Sequence, residues 1–121
     1  MNKQQNLFKS FSNAFNGLWI FLLHDRNGKI HLAATIAVIM LSFALNISLN
    51  EWFAVLLCIA MVMSLEMINA AIEKLCDVVH KDFNPAIKTI KHISAAAVLW
   101  ASIISAIIAC IIFIPKIIQL L

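Results

Sequence analysis

The sequence predicts an all-α integral membrane protein, with an N-terminal amphipathic surface helix followed by three transmembrane helices. One domain covers residues 1–121. Three observations predict this. Hydrophobic residues make up 63% of the chain and charged residues only 12%. A chain of 121 residues has too little interior to hide so much apolar surface from water, so lipid is its natural solvent. Gly and Pro number two each and Tyr is absent, a composition that favours helices over turns and strands. Finally, three long runs carry no charged residue: Leu32–Leu49 (18 residues), Trp52–Leu65 (14 residues) and Ile93–Pro115 (23 residues). A membrane-crossing helix needs about 20 largely apolar residues. Alternating strand patterns are absent, which argues against a β-barrel.

The surface helix is expected over about residues 5–23. Phe8, Phe11, Phe15, Leu18 and Leu22 recur at helical spacing, while Lys9, Ser12, Asn13 and Asn16 fall mostly elsewhere on the wheel. Such a helix lies in the membrane interface or packs on the bundle, and the two are compatible. HDRNGK (residues 24–29) reads as a polar turn around its Asn-Gly pair. The first span follows over about 30–49. Asn46–Asn50 forms a short turn, and Trp52 stands at the membrane interface where Trp is favoured. The second span, about 52–79, qualifies only if its acidic residues are tolerated. HKDFNPAIK (residues 80–88) is the one substantial loop, broken by Asn84 and Pro85. The third span, about 91–115, is studded with Ala and Ser, small residues that let helices approach closely in lipid.

Basic residues set the orientation. Lys3, Lys9, Arg26 and Lys29 precede the first span, Lys74, Lys81, Lys88 and Lys91 surround the second loop, and the Asn46–Glu51 connection has none. The amino terminus and second loop are therefore expected in the cytoplasm and the carboxyl terminus outside. A net charge of +3 is too small and dispersed to suggest nucleic acid binding. Cys58, Cys76 and Cys110 stand singly, without a CxxC, and read as small apolar fillers. His24, His31, His80 and His92 match no zinc-ligand spacing and read as loop or interfacial residues. No cleavable signal pattern is present.

The stretch SLEMINAAIEKLCD, residues 64–77, holds Glu66, Glu73 and Asp77, three of six acidic residues, together with Asn69. At about 100° per residue, Asn69, Glu73 and Asp77 fall near −60°, −20° and +20° of Glu66. All four share a narrow face. Counted from Glu51, Glu66 lies about 22 Å along the helix, still within a hydrocarbon core roughly 30 Å thick. Glu73 and Asp77 reach the interface. A carboxylate at such depth costs about 2.5–3.5 kcal/mol on insertion scales, so it is a functional-site candidate by default. One reading is helix glue, with Glu66 and Asn69 hydrogen-bonding across the bundle in a non-enzymatic subunit. The other is phosphoryl transfer: a poorly solvated carboxylate acts as general base, carboxylates nearer water hold Mg²⁺, and loop lysines neutralise phosphates. Gly17 and Gly28 are the only glycines, so no phosphate-cradling Gly-rich loop exists.

The pattern E-x-x-N-x-A-I-E-x-x-x-D, carried by Glu66, Asn69, Ala71, Ile72, Glu73 and Asp77, together with K-x-x-SAAAVL from Lys91 through Leu99, resembles the small bacterial integral-membrane lipid kinases. That family includes diacylglycerol kinase and undecaprenol kinase, and the resemblance covers nearly the whole chain. It implies a homotrimer in the bacterial inner membrane, with sites between subunits, transferring the γ-phosphate of Mg-ATP to the hydroxyl of diacylglycerol or undecaprenol. By this resemblance Glu66 is the catalytic base, Asp25 and Glu73 bind metal, and Asn69 and Ala95 accompany Glu66 at the lipid. Asn13, Asp25, Glu73, Asp77, Asp82, Phe83, Asn84, Lys91 and His92 bind ATP. Asp25 stands where the family usually has Glu, and His92 where it usually has Asp. FKSF and IIFIPK look somewhat more like the undecaprenol branch.

Overall fold

Capping side chains punctuate the described residues into four helices. In a computed structural model, residues 6–121 are described; Lys3 and the first residue of the expected surface helix lie outside them. Helix α1 spans Leu7–His24, with the Asn6 side chain accepting from the Lys9 N–H at 3.0 Å. Helix α2 spans Arg26–Ala44, α3 Leu49–Val79 and α4 Pro85–Leu120.

The expected turn at 24–29 shrinks to one residue. The Asp25 N–H closes α1 on the Ile20 carbonyl, and its side chain caps α2 by accepting from the Gly28 N–H at 3.1 Å. Asn27 and Gly28 therefore sit inside the first turn of α2, because a strong N-cap outranks the turn tendency of Asn-Gly. Gly28 has a different duty here. A Cβ there would lie 1.7 Å from the Phe21 carbonyl oxygen, so only glycine lets α2 start against α1.

The turn between α2 and α3 is equally tight. Asn46 adopts a left-handed φ of 48°, a conformation Asn tolerates better than most residues. Ser48 and Glu51 then form a capping box, with the Ser48 N–H donating to Glu51 Oε1 at 3.0 Å and the Glu51 N–H to Ser48 Oγ at 3.2 Å. At 31 residues, α3 is about 46 Å long and outreaches a hydrocarbon core of about 30 Å.

Helix α4 begins earlier and ends later than the expected 91–115. Asn84 caps it, its side chain accepting from the Ala86 N–H at 2.8 Å, and Pro85 takes the first helical position, where its missing N–H costs nothing. Pro115 does not stop the helix, which continues to Leu120. One ladder bond is lost there, but Lys116 Nζ meets Glu51 Oε1 at 3.1 Å and ties this last stretch to the start of α3.

Three of the helices, α2, α3 and α4, are long and apolar enough to cross a membrane. The packing is polarised. Ile47, Val55, Ile112 and Phe113 form the apolar core near the α2–α3 turn, with Trp52 against it. Trp52 meets Phe43 edge-on at 4.8 Å. Towards the other end of α3 the buried residues are Glu66, Asn69 and Cys76. Most outward side chains, such as Met40, Leu57 and Trp100, are apolar and exposed, as a lipid-facing surface requires.

Candidate active site

Burial falls off along the carboxylate face of α3. Glu66 and Asn69 are 4% and 5% exposed, Glu73 is half-buried and Asp77 is exposed. Helical phase puts them on one side, and the length of α3 takes that side from the packed interior to its open end. The buried pair is engaged by neighbouring helices. Glu66 Oε2 lies 3.6 Å from His31 Nε2 on α2. Asn69 Oδ1 accepts from Ser94 Oγ on α4 at 2.7 Å. Cys76 is buried close to this face and unpaired; Cys58 is half-buried and Cys110 exposed.

At the open end, α3, the 80–84 connection and α4 enclose a cleft of about 360 Å³. Six residues expected around a nucleotide line it: Asp77, Asp82, Phe83, Asn84, Lys91 and His92. His80, Lys81 and Lys88 line it too. Lys91 Nζ meets Asp77 Oδ1 at 2.6 Å, joining α3 to α4 across the cleft. Lys88 Nζ stands 5.9 Å from the centre of the Phe83 ring, a cation–π arrangement. His80 Nδ1 lies 2.9 Å from the Asp82 carbonyl oxygen and folds the connection over. Three lysines against two aspartates leave the cleft basic and open to an anion.

The remaining expected residues lie elsewhere. Asp25 is half-buried beside a second cleft of about 590 Å³ between α1 and α3, shared with Phe21, Met67 and Lys74. One Asp25 oxygen is already occupied by the Gly28 N–H. Glu73 lines neither cleft. Among the described residues, no three His, Cys, Asp or Glu side chains converge as a metal cluster. Asn13 is exposed on α1 and Ala95 on α4, and neither joins the lysine-lined cleft.

Three site neighbours stand outside the sequence expectations: Ser94, His31 and His80. Ser94 and His31 engage the buried pair through tertiary packing, which no local spacing reveals, and His80 carries no local signal either. Lys81 and Lys88, which line the cleft, are among the loop lysines expected to meet phosphates.

Three helices long and apolar enough to cross a membrane, with a buried carboxylate on the face of α3 that leads to a lysine-lined cleft, define the class: multi-pass helical membrane proteins that gather carboxylates and lysines at one end of the bundle. The comparisons make the class specific. Residues 12–113 match the family model for prokaryotic diacylglycerol kinase. The chain is 37% identical over 115 residues to the undecaprenol kinase of Bacillus subtilis (strain 168), covering 95% of this chain and 94% of the relative. It is 30% identical over 117 residues to the diacylglycerol kinase of Synechocystis sp. (strain ATCC 27184 / PCC 6803 / Kazusa), covering 96% of this chain and 67% of that relative. The chain belongs to the prokaryotic diacylglycerol kinase family and is a lipid kinase. The non-enzymatic reading of the acidic stripe gives way accordingly.

Proposed function

We propose that this protein transfers the γ-phosphate of Mg-ATP to the hydroxyl of undecaprenol, with diacylglycerol as the second acceptor. The observation that carries the reaction is Glu66, buried on the same face of α3 whose far end opens into the lysine-lined cleft. Undecaprenol is placed first because the similarity to the Bacillus undecaprenol kinase extends over 94% of that protein.

The triphosphate lies in the cleft, its charge met by Lys81, Lys88 and Lys91, with Phe83 and Asn84 at its border. Asp77 holds Lys91 in place until phosphate oxygens compete for it. Glu66 accepts the proton of the lipid hydroxyl as its oxygen attacks the γ-phosphorus. The bond from the γ-phosphorus to the β–γ bridging oxygen breaks, and ADP carries that oxygen away. Asn69, fixed by Ser94, borders the hydroxyl, with Ala95 on the lipid side.

Asp25 and Glu73 would hold Mg²⁺ through hard carboxylate oxygens, Asp25 with the oxygen that the Gly28 N–H leaves open. The ion would supply charge neutralisation at the transferring phosphoryl group. His92 replaces the usual acidic partner and can still accept through a neutral ring nitrogen.

The assembly is a homotrimer in the bacterial inner membrane, with Asn13 of the surface helix completing a nucleotide site between subunits. The amino terminus and the 80–84 connection face the cytoplasm, where the basic residues gather. Purified protein in vesicles containing either undecaprenol or diacylglycerol, supplied with Mg-ATP, tests the acceptor. Faster formation of undecaprenyl phosphate is expected; faster formation of phosphatidic acid would reverse the order.

A further inference from the structure

Glu66 has to satisfy two demands with two oxygens. Buried in a helix of the membrane bundle, its carboxylate needs a polar partner. As a base, it must also keep one oxygen open to the substrate hydroxyl. Among the described residues, His31 is the titratable side chain within ion-pair distance of it, with Nε2 3.6 Å from Oε2. Asn69, nearly one turn further on, is turned to α4 through Ser94. The His31 side chain is 25% exposed and that of Glu66 is 5% exposed, so water does little to weaken the pair. At 3.6 Å the pair is at ion-pair distance, slightly beyond a hydrogen bond.

The setting of His31 adds to this. It lines a groove of about 270 Å³ between α2, α3 and α4, along with Thr35, Met63, Ser102 and Ala106. The α2 and α3 residues of that groove step from His31 and Met63 back towards the middle of the bundle. His31 therefore stands where the groove ends and Glu66 begins.

We propose that His31 is a positioning residue for Glu66: its Nε2–H engages Oε2 and thereby presents Oε1 to the lipid hydroxyl. This rests on Glu66 being the base of the proposed transfer. A neutral imidazole suffices, since it donates through Nε2 before and after Glu66 takes up the proton. Loss of His31 leaves both substrates bound but the base free to rotate, so turnover suffers and not ATP affinity.

Two measurements on the full-length protein in detergent micelles test this. The first follows side-chain nitrogen signals of isotope-labelled histidine in wild type and Glu66→Gln. The His31 Nε2 signal is expected to move while those of His24, His80 and His92 stay; an unmoved His31 signal would overturn the contact. The second compares initial rates of His31→Ala and His31→Gln over ranges of ATP and lipid. The alanine variant is expected to lose about tenfold or more in kcat with KM for ATP within about twofold, and glutamine, which can donate from a similar position, to recover most of the loss. Equal losses in both variants, or a loss confined to KM, would reduce His31 to a packing residue. A moved nitrogen signal in a wild-type protein that phosphorylates no lipid would keep the contact but refute the positioning role together with the kinase mechanism.

Discussion

Glu66 is a buried acid that the fold accommodates at a cost. A leucine there would favour insertion, whereas an acid costs about 2.5–3.5 kcal/mol on insertion scales. Its place on a stripe with Asn69, Glu73 and Asp77 was legible because helical phase depends on sequence alone. Its contact with His31 was not, since residues 35 positions apart meet only through tertiary packing. Gly28 teaches the same lesson. The sequence suggested a turn, but the structure uses the glycine for a close helix approach, with the Phe21 carbonyl where a side chain would begin. Gly28→Ala is therefore expected to destabilise the protein by about 1–3 kcal/mol, the usual range for overpacking, or more if α1 is forced off. Thermal unfolding in detergent would read this as a clear fall in midpoint, and an unchanged midpoint would contradict the close approach.

At the scale of elements, the caps determine where the site can form. Asn84 and Pro85 start α4 directly after the 80–84 connection, so Lys88 and Lys91 emerge from the first two turns of a rigid helix into the cleft. The sequence showed Asn84 and Pro85 as breakers of a long loop. They also begin the next helix, and the expected third span therefore started six residues late. Asn84→Ala removes the acceptor for the Ala86 N–H and is expected to cost about 1 kcal/mol. Because the first turn of α4 lines the cleft, the same change should raise KM for ATP several-fold, measurable from initial rates; a loss of stability with unchanged KM would separate the cap from the cleft. The expected third span closes at Pro115, where the uncharged run stops; there the Lys116–Glu51 pair and continued apolar sequence carry the helix onward.

For the whole molecule, apolar composition, long uncharged runs and the distribution of lysines made three membrane-crossing helices legible. What lies between chains was not, because composition cannot tell a lipid-facing side chain from one facing another subunit. In the single chain, Asp25 and the lysine-lined cleft belong to different cavities, and Asn13 reaches neither. A site shared between subunits of a homotrimer would unite them. Co-assembly of Asp25→Asn and Lys91→Met subunits, each inactive alone, is expected to restore part of the activity, since some mixed interfaces would receive Asp25 from one subunit and the intact lysine-lined cleft from the other. No recovery in trimers shown to be mixed would place each complete site within one subunit.

The central claim is that the carboxylate buried on α3 is the base for phosphoryl transfer to a membrane lipid. It is tested most directly by radiolabelled phosphate transfer from Mg-ATP to extracted membrane lipids, with wild type and Glu66→Gln assayed side by side and both shown to assemble alike. Labelled lipid phosphate from wild type, and about a hundredfold less or lower from Glu66→Gln, is the predicted result. Equal transfer by the two proteins would contradict it.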